Sequence, residues 1–317
     1  MAVIDSETLP EFSLIDRLAG HMRVKRADVA LGIGDDAALV NFPPSGNQQL
    51  VSATDTLVEG THFLSNASAA SIGHRALATN LSDLAAMGAI PAWANLSLTL
   101  PEIDPVWLDE FADAFATLAA QHDVALIGGD TVRGPCSVTV TLQGTVPVGK
   151  CVLRSGAQSG DLIFVTGMPG AAAAGRQGIA DDLEKAFLFP EPRVDFGKHI
   201  APYVNAMIDI SDGIVPDIGH VLEKSHAGAR LVLDELMLPQ KLDGVCDQTD
   251  ALDLCLFGGE DLELLFTVSP AKLNDIETIA HEQACELTRL GEVTDAGQFW
   301  SWQGKEINVA AKGFRHF

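Results

Sequence analysis

Aspartate residues recur in this sequence where apolar segments end or turn, and this recurrence limits how the chain can fold. A carboxylate rarely enters a hydrophobic core unpaired, so each position predicts a border between a buried segment and a polar region. The aspartates concerned are Asp35, Asp36, Asp55, Asp83, Asp130, Asp209 and Asp212. Singly, each would be an ordinary turn or capping residue. Together they indicate a common polar site.

Hydrophobic patterns around these aspartates predict the elements that carry them. The stretches LVSATD and ALIGGDT place Asp55 and Asp130 where strands end. The stretch MIDISDG places Asp209 near a strand end and Asp212 at a helix N-cap. Asp83 falls on the polar side of a helix predicted to run from residue 71 to residue 88.

Elsewhere, strands and helices alternate without strict βαβ regularity, which favours mixed α/β sheets over a doubly wound parallel sheet. Asp104 followed by Pro105 predicts a helix start, and residues 137–146 alternate like a strand with one buried face. The proline-rich stretch near 190–202 is expected to be irregular. At 317 residues the chain has room for about two domains, each with its own core.

Composition excludes several classes of partner. The formal charge is −23, from 43 acidic and 20 basic residues, which repels nucleic acid and anionic membranes. The five cysteines form no CxxC pair, which is typical of a reduced cytosolic protein. The N-terminal residues lack a basic and apolar leader, and no stretch has the length of a membrane span. We therefore expect a cytoplasmic protein with no nucleic-acid or membrane partner.

If the aspartates converge, their mutual repulsion must be offset. Two carboxylates about 4 Å apart repel each other by roughly 4 kcal/mol at an effective dielectric constant of about 20. No lysine lies beside any of these sites, and the candidate ligands are all oxygens, so a hard cation is expected, Mg²⁺ before Ca²⁺. Mg²⁺ usually shares its coordination positions with phosphate oxygens, which predicts a nucleoside triphosphate.

The usual nucleotide-binding signatures are missing from the sequence. Nothing matches the GxxxxGK[ST] loop, and the HRD and DFG motifs of protein kinases do not occur. The stretch GMPGAAAAG at 167–175 departs from the GxGxxG spacing. ATP is therefore expected to be held by metal ions and backbone amides.

A series of motifs runs through the chain in the order GIGDDAAL, SATDTLVEGTHF, NLSDLAAMGAIPAW, LIGGDTVRGP, LRSGAQSGD, IDISDGI and FGGEDLEL. They span nearly the whole chain and resemble the thiamine-monophosphate kinase family, a branch of the aminoimidazole ribonucleotide synthetase-like superfamily. The resemblance implies a two-domain α/β (α+β) fold with mixed sheets. Residues 1–147 would form an N-terminal domain that binds ATP and Mg²⁺ and associates through its sheet into a homodimer. Residues 148–317 would form a C-terminal α+β domain.

The resemblance also implies roles for particular positions. The implied ligands of several Mg²⁺ ions are Asp36, Thr54, Asp55, Asp83, Asp130, Asp209 and Asp212. Ala53 stands where the family often has serine, so only its backbone carbonyl is available to a metal ion. The implied ATP contacts are Gly129, Asp130, Arg154 and Ser211. The implied substrate contacts are His62, Glu260 and Phe314. The groups expected to be central to catalysis are Asp55, Asp130, Asp209 and Arg154.

The implied activity is ATP-dependent phosphorylation of thiamine monophosphate to thiamine diphosphate, the last step of thiamine diphosphate biosynthesis. The acceptor phosphate is largely a dianion at neutral pH, so no general base is required. No activated nucleophile is evident, which predicts direct in-line transfer. Two alternatives stay open: another ATP-dependent enzyme of the superfamily, of the purine-synthesis type, and a non-enzymatic module that binds a divalent metal ion.

Overall fold

The computed structural model describes residues 17–18, 20–22, 25–31, 39–41, 46–236, 238–239, 242 and 246–309. The chain divides into two compact units. The first contains the described residues up to Asn80 together with Pro91–Thr145, and the second contains Leu81–Ile90 and the chain from Val146 onward. The domain boundary expected between residues 147 and 148, and the functions assigned to its two sides, stay predictions.

The first unit is built on a four-stranded sheet, called here the first sheet. Its strands are β3 (Gln48–Val58), β4 (Ile90–Leu100), β5 (Ala125–Arg133) and β6 (Ser137–Pro147), in the order β3-β6-β4-β5. A separate ribbon pairs β1 (Val29–Leu31) with β2 (Leu39–Val40). The helices are α1 (Ala69–Ala86), inside which the division between the units falls, and α2 (Pro105–Gln121).

Helix α2 forms as the sequence predicts. Asp104 Oδ1 accepts the N–H of Val106 at 2.9 Å, and Pro105 occupies the start of the helix, where its missing N–H would have no helical partner. Phe111 and Phe115 are fully buried on its apolar face. The helix joins β4 to β5, which pair in parallel and therefore need a crossover connection.

Strand β6 alternates buried and half-buried residues, which confirms the predicted two-faced strand. Its polar face carries threonines that meet those of β3. Thr139 Oγ1 lies 2.9 Å from Thr56 Oγ1, and Thr141 Oγ1 lies 3.0 Å from Thr54 Oγ1. These hydroxyl pairs stabilise the register of β3 against β6.

The second unit is built on a seven-stranded sheet, called here the second sheet. Its strands are β7 (Leu162–Thr166), β8 (Val204–Asp209), β9 (Gly228–Val232), β10 (Leu264–Val268), β11 (Leu287–Thr294), β12 (Gln298–Trp302) and β13 (Lys305–Glu306), in the order β13-β12-β9-β11-β7-β10-β8. Strand β10 runs antiparallel to β7 and β8, whereas β12 runs parallel to β9, which confirms the expected mixed sheet.

The helices of the second unit are α3 (Ala171–Arg176), α4 (Glu184–Leu188), α5 (Val194–Ile200), α6 (Ile214–Ser225), α7 (Gln248–Phe257) and α8 (Leu273–Glu282). Strands β7 and β10 are buried along their whole length. Apolar residues of α6 and α7 pack with these strands in one core, which includes Ile163, Ile218, Leu256 and Leu265.

Three local predictions were wrong. Asp55 and Asp130 lie inside β3 and β5 rather than at strand ends, because both strands continue past the polar residues. The stretch near 190–202 contains α5, which follows Pro192 and buries Phe196 in its apolar face. The N-cap of α6 is Gly213, one residue beyond the predicted position.

In the part of the chain that the structure describes, no helix combines the length and the apolar character needed to cross a membrane. All five cysteines fall in that part, and each is a free thiol.

Candidate active site

Strand β3 presents Thr54 and Asp55 on opposite faces of the first sheet, because successive side chains of a strand alternate. Thr54 is exposed and its hydroxyl meets Thr141, whereas Asp55 is half-buried on the face that carries Leu57. The two side chains therefore cannot bind the same ion. Ala53 offers a metal ion only its backbone carbonyl oxygen.

Strand β5 carries Gly129 and Asp130 close to an irregularity in its pairing with β4. A Cβ on Gly129 would lie 1.8 Å from the carbonyl oxygen of Leu96, so only glycine allows this close approach of the two strands. Asp130 is exposed, and its Oδ1 accepts the N–H of Thr131 at 2.9 Å. The strand therefore holds the Asp130 carboxylate in contact with solvent and open to a ligand.

Asp55 and Asp130 belong to opposite edges of the first sheet, since β3 and β5 are its outer strands. Three strand spacings of about 4.8 Å separate these strands by roughly 14 Å. Mg²⁺ binds its oxygen ligands at about 2.1 Å. Within one chain, these two carboxylates therefore cannot share an ion.

His62 lies in the turn that follows β3. Its Nδ1 accepts the N–H of Val58 at 3.0 Å, so the neutral ring carries its proton on Nε2. Arg75 Nη1 donates to the His62 carbonyl oxygen at 2.8 Å, which holds the turn against α1. The bond from Val58 thus fixes the orientation of the half-buried ring.

The second unit gathers its candidate residues at one end of the second sheet, called here the loop end. Strands β7 and β8 end there at Thr166 and Asp209, and β10 and β11 begin there at Leu264 and Leu287. The pairings Asp209–Leu264 and Thr166–Leu287 align these strand ends. The loops at this end carry Ser211, Asp212 and Glu260.

Asp209 receives a hydrogen bond from α1. Its carboxylate is 5% exposed, and Ser82 Oγ donates to its Oδ2 at 2.8 Å. Ser82 is buried and stands next to Asp83, which is half-buried. This hydrogen bond fixes the orientation of the Asp209 carboxylate. Within the second unit, the NLSD and IDISDG motifs therefore meet directly.

The turn from Ser211 to Gly213 wraps around the carboxylate of Asp217 in the first turn of α6. Asp217 Oδ2 accepts the N–H groups of Ser211, Asp212 and Gly213 at 3.0, 3.1 and 3.2 Å. Burial raises the pKa of Asp217 to about 7, although the N–H donors act in the opposite direction. The side chain of Ser211 is exposed and that of Asp212 is half-exposed, so both are open to a ligand.

Glu260 lies in a loop whose backbone is strained. Its φ is +66° and that of Leu262 is +53°, in the left-handed region that residues other than glycine rarely adopt. Gly259 also has a positive φ, and a Cβ there would lie 2.2 Å from the carbonyl oxygen of Ser211. The N–H of Glu260 donates to that same oxygen at 2.9 Å. The Glu260 loop and the Ser211 turn are therefore in direct contact.

Asp261 anchors the Glu260 loop from inside the protein. Its Oδ2 accepts the N–H of Gly170 at 2.8 Å, and its Oδ1 accepts the N–H of Ala172 at 3.0 Å. Burial raises the pKa of this carboxyl to about 7. The loop is thus tied to the start of α3.

A cavity of about 390 Å³ opens at the loop end beside Asp261 and Glu263. Arg193 binds Glu263 with two hydrogen bonds of 2.7 and 2.6 Å, and the pairing raises the pKa of Arg193. The lining contains apolar side chains such as Met168 and Phe189, with five acidic residues against two basic ones. These walls suit a compact organic cation better than a polyphosphate.

Arg154 lies in the loop between β6 and β7, with an exposed side chain. Ser225, the last residue of α6, donates its hydroxyl to the Arg154 carbonyl oxygen at 3.3 Å. The same hydroxyl oxygen accepts the N–H groups of Gly156 and Ala157, each at 3.2 Å. The backbone is therefore anchored, while the guanidinium is accessible to a phosphate group.

Asp35, Asp36 and Phe314 lie outside the described residues. Among the residues that are described, no three His, Cys, Asp or Glu side chains are grouped to hold a metal ion. The described candidate ligands divide between the units: Asp55 and Asp130 belong to the first, and Asp83, Asp209 and Asp212 belong to the second.

Comparison with known proteins connects this geometry to a family. Residues 34–146 match the family model described as AIR synthase related protein, N-terminal domain. The thiamine-monophosphate kinase of Escherichia coli (strain K12) is 42% identical over 320 residues, covering 97% of this chain and 98% of that protein. The chain belongs to the thiamine-monophosphate kinase family.

Solved structures of the thiamine-monophosphate kinase family have the same fold. The crystal structure of the enzyme from Stenotrophomonas maltophilia K279a is similar with a TM-score of 0.85 at 41% identity, covering 94% of this chain and 98% of that one. The structure of AaThiL complexed with AMPPCP and TMP is similar with a TM-score of 0.77 at 30% identity, covering 100% of both chains. The expected aminoimidazole ribonucleotide synthetase-like fold is confirmed.

Three buried residues of this thiamine-monophosphate kinase family member were not identified from the sequence: Ser82, Asp217 and Asp261. Ser82 lies next to Asp83 in the motif NLSDLAAMGAIPAW, and Asp261 lies next to Glu260 in the motif FGGEDLEL. Asp217 offered a clearer signal, because it lies on the apolar stripe of α6 with Ile214 and Val221. An acidic residue on an apolar stripe points to buried hydrogen-bond donors, and here these are the N–H groups before the helix.

Ser82→Ala should weaken the response of turnover to Mg²⁺. The change removes a hydrogen bond to the Asp209 carboxylate, and bonds to charged groups contribute about 1.5–3 kcal/mol. We expect the Mg²⁺ concentration for half-maximal activity to rise roughly 10-fold or more, as measured by titrating turnover with Mg²⁺. Thr79→Ala is the matched control, because that hydroxyl donates within α1 to the Arg75 carbonyl oxygen. Equal effects of the two substitutions would contradict this role for Ser82.

Asp130→Asn should lower kcat by roughly 100-fold or more while the protein stays folded. The substitution removes a charge that would hold a metal ion, from an exposed site where no packing is lost. Steady-state kinetics at saturating Mg²⁺, together with a thermal melt, measure both effects. Asp123→Asn, at another exposed aspartate of the first unit, should leave kcat unchanged. Near-wild-type turnover by Asp130→Asn would refute the role.

Proposed function

We propose that this chain transfers the γ-phosphoryl group of ATP to thiamine monophosphate with Mg²⁺, giving thiamine diphosphate and ADP. This is the last step of thiamine diphosphate biosynthesis. The observation that carries the proposal is identity of 42% over nearly the full length with the thiamine-monophosphate kinase of Escherichia coli. The similarity to AaThiL complexed with AMPPCP, an ATP analogue, and TMP supports both substrates.

For this reaction the protein must align the two substrates and compensate their negative charges. The phosphate monoester of the acceptor is mostly a dianion at neutral pH, so no residue has to remove a proton. The acceptor oxygen must be placed in line with the γ-phosphorus, and repulsion between two polyanions must be offset. The exposed guanidinium of Arg154 has the planar fork that binds two phosphate oxygens. We propose direct transfer, because no side chain is needed as an intermediate nucleophile.

Mg²⁺ fits the donors that the chain offers, because these are carboxylate and backbone carbonyl oxygens. The residues that would hold it are Asp36, Ala53, Thr54, Asp55, Asp83, Asp130, Asp209 and Asp212. When bound, Mg²⁺ supplies positive charge to the phosphate oxygens. The chain's own part is to orient these ligands, as Ser82 does for Asp209.

The two substrates call for different surroundings. ATP is proposed to contact Gly129, Asp130, Arg154 and Ser211. Thiamine monophosphate carries a cationic thiazolium ring, which suits Glu260 and the acidic cavity beside Asp261 and Glu263. The contacts assigned to His62 and Phe314 stay predictions, as does the cytoplasmic location.

The homodimer is proposed to form through the edges of the first sheet. The outer strands expose apolar residues: Val132 on β5 is 49% exposed, and Leu50 on β3 is 53% exposed. Exposed apolar edges of this kind favour pairing with another chain. Pairing β3 with β5 of a second copy would place Asp55 one strand spacing, about 4.8 Å, from the strand that carries the partner subunit's Asp130. A dimer would thus remove the separation that prevents one chain from sharing an ion between these carboxylates.

Val132→Lys should shift the protein from dimer to monomer and reduce turnover with it. A lysine on an edge strand opposes pairing because its charge would lose water at the interface. Sedimentation velocity over a range of protein concentrations measures the change. Val148→Lys is the control, since Val148 is 55% exposed and lies outside the outer strands. A wild-type protein that is monomeric at concentrations where it is fully active would contradict the proposal.

The activity itself is tested by incubating the protein with Mg²⁺, ATP and thiamine monophosphate and separating the products by chromatography. We expect stoichiometric thiamine diphosphate and ADP, both abolished by EDTA. ADP without thiamine diphosphate would instead favour a superfamily activity of the purine-synthesis type. Neither product, from a folded sample whose melting temperature falls with EDTA and ignores nucleotide, would favour the non-enzymatic metal-binding module.

A further inference from the structure

Asp217 is buried behind the turn that carries Ser211 and Asp212. Its side chain is 1% exposed, and a single oxygen, Oδ2, accepts three consecutive backbone N–H groups. Three donors that converge on one atom fix the path of the backbone from Ser211 to Gly213. Without this carboxyl group, the three N–H groups would lose their shared acceptor.

Asp261 does the same for the loop that carries Glu260, with a different geometry. Both of its oxygens are used, Oδ2 by the N–H of Gly170 and Oδ1 by the N–H of Ala172. The strained backbone of Glu260 and Leu262 needs such an anchor, because an unrestrained loop would relax to ordinary φ values.

Backbone hydrogen bonds join the two loops between these carboxylates. Glu260 N–H donates to the Ser211 carbonyl oxygen at 2.9 Å, and Leu262 N–H donates to that of Ile210 at 3.1 Å. Ile210 N–H donates in return to the Glu263 carbonyl oxygen at 2.7 Å. The loops form one hydrogen-bonded assembly with a buried carboxylate behind each of them.

We propose that Asp217 and Asp261 are positioning residues, each fixing the loop that presents one reactant. Asp217 holds Ser211 and Asp212 for the nucleotide and its metal ion, and Asp261 holds Glu260 for the acceptor. Each carboxylate acts through the backbone that it holds, since Asp217 accepts the N–H groups of its turn and both oxygens of Asp261 accept N–H groups at the start of α3. This assignment of reactants to loops rests on the proposed function.

The kinetic test compares Asp217→Ala with Asp261→Ala. Asp217→Ala should raise KM for ATP roughly 10- to 100-fold and lower kcat, with a smaller effect on KM for thiamine monophosphate. Asp261→Ala should raise KM for thiamine monophosphate by a similar factor and change KM for ATP less. Asp275→Asn, which alters an exposed first-turn carboxylate of α8, is the control and should change neither. Equal changes in both KM values would overturn the assignment.

Asparagine variants test the geometry further. Asp217→Asn should recover much of the loss, because one carbonyl oxygen can replace the single accepting oxygen. Asp261→Asn should recover little, because its NH₂ group would face an N–H donor. Equal recovery at the two positions would overturn the proposed geometry.

Hydrogen exchange provides a readout that does not depend on turnover. The amides of Ser211, Asp212 and Gly213 should be protected in the wild type and lose protection in Asp217→Asn or Asp217→Ala, whichever folds. A lower melting temperature with unchanged protection and unchanged KM values would show a merely structural role and overturn positioning. Wild-type protein that makes no thiamine diphosphate would overturn the proposed function instead. Failure of the positioning role and failure of the proposed function are therefore detected by different measurements.

Discussion

The second unit depends on pairing its buried carboxyl groups with hydrogen-bond donors. Four acidic residues of this unit are buried and accept hydrogen bonds. Asp209 accepts one from a serine hydroxyl, and Glu263 accepts two from an arginine guanidinium. Asp217 accepts three from backbone N–H groups, and Asp261 accepts two. A buried carboxylate left without partners would cost several kcal/mol. The loops at the loop end therefore adopt the conformation in which their N–H groups donate to these oxygens.

This arrangement separates two kinds of acidic residue. Asp217, through Oδ2, and Asp261, through both oxygens, accept backbone N–H groups and shape the loops, whereas Asp130 is exposed and Asp212 and Glu260 are partly exposed. The positive φ of Glu260 belongs to the same arrangement, because a strained backbone conformation lasts only where neighbouring bonds hold it. Rigid support behind accessible ligands is what phosphoryl transfer by alignment requires.

The sequence predicted those elements whose cause is local. Asp104 and Pro105 begin α2 as expected, and the alternation of polar and apolar residues in β6 predicted which face is buried. Both signals are local, because caps and periodicity act over a few residues. Strand continuation through Asp55 and Asp130 was missed, because neighbouring strands rather than local residues determine where a strand ends. The motifs identified the accessible acids of the candidate site. They did not identify the contact of Ser82 with Asp209, whose partners are 127 residues apart and meet only in the folded unit.

The distribution of the accessible acids explains how such a chain folds before any ligand arrives. With a net charge of −23, bringing all the candidate carboxylates together in one chain would add roughly 4 kcal/mol for each close pair. The structure avoids this within the first sheet by placing Asp55 and Asp130 on opposite edges, roughly 14 Å apart. In the second unit, Asp209 is held by Ser82, and the turn bearing Asp212 is held by backbone bonds to Asp217. Each unit thus folds with its acidic side chains either separated or held by hydrogen-bond donors of the same unit.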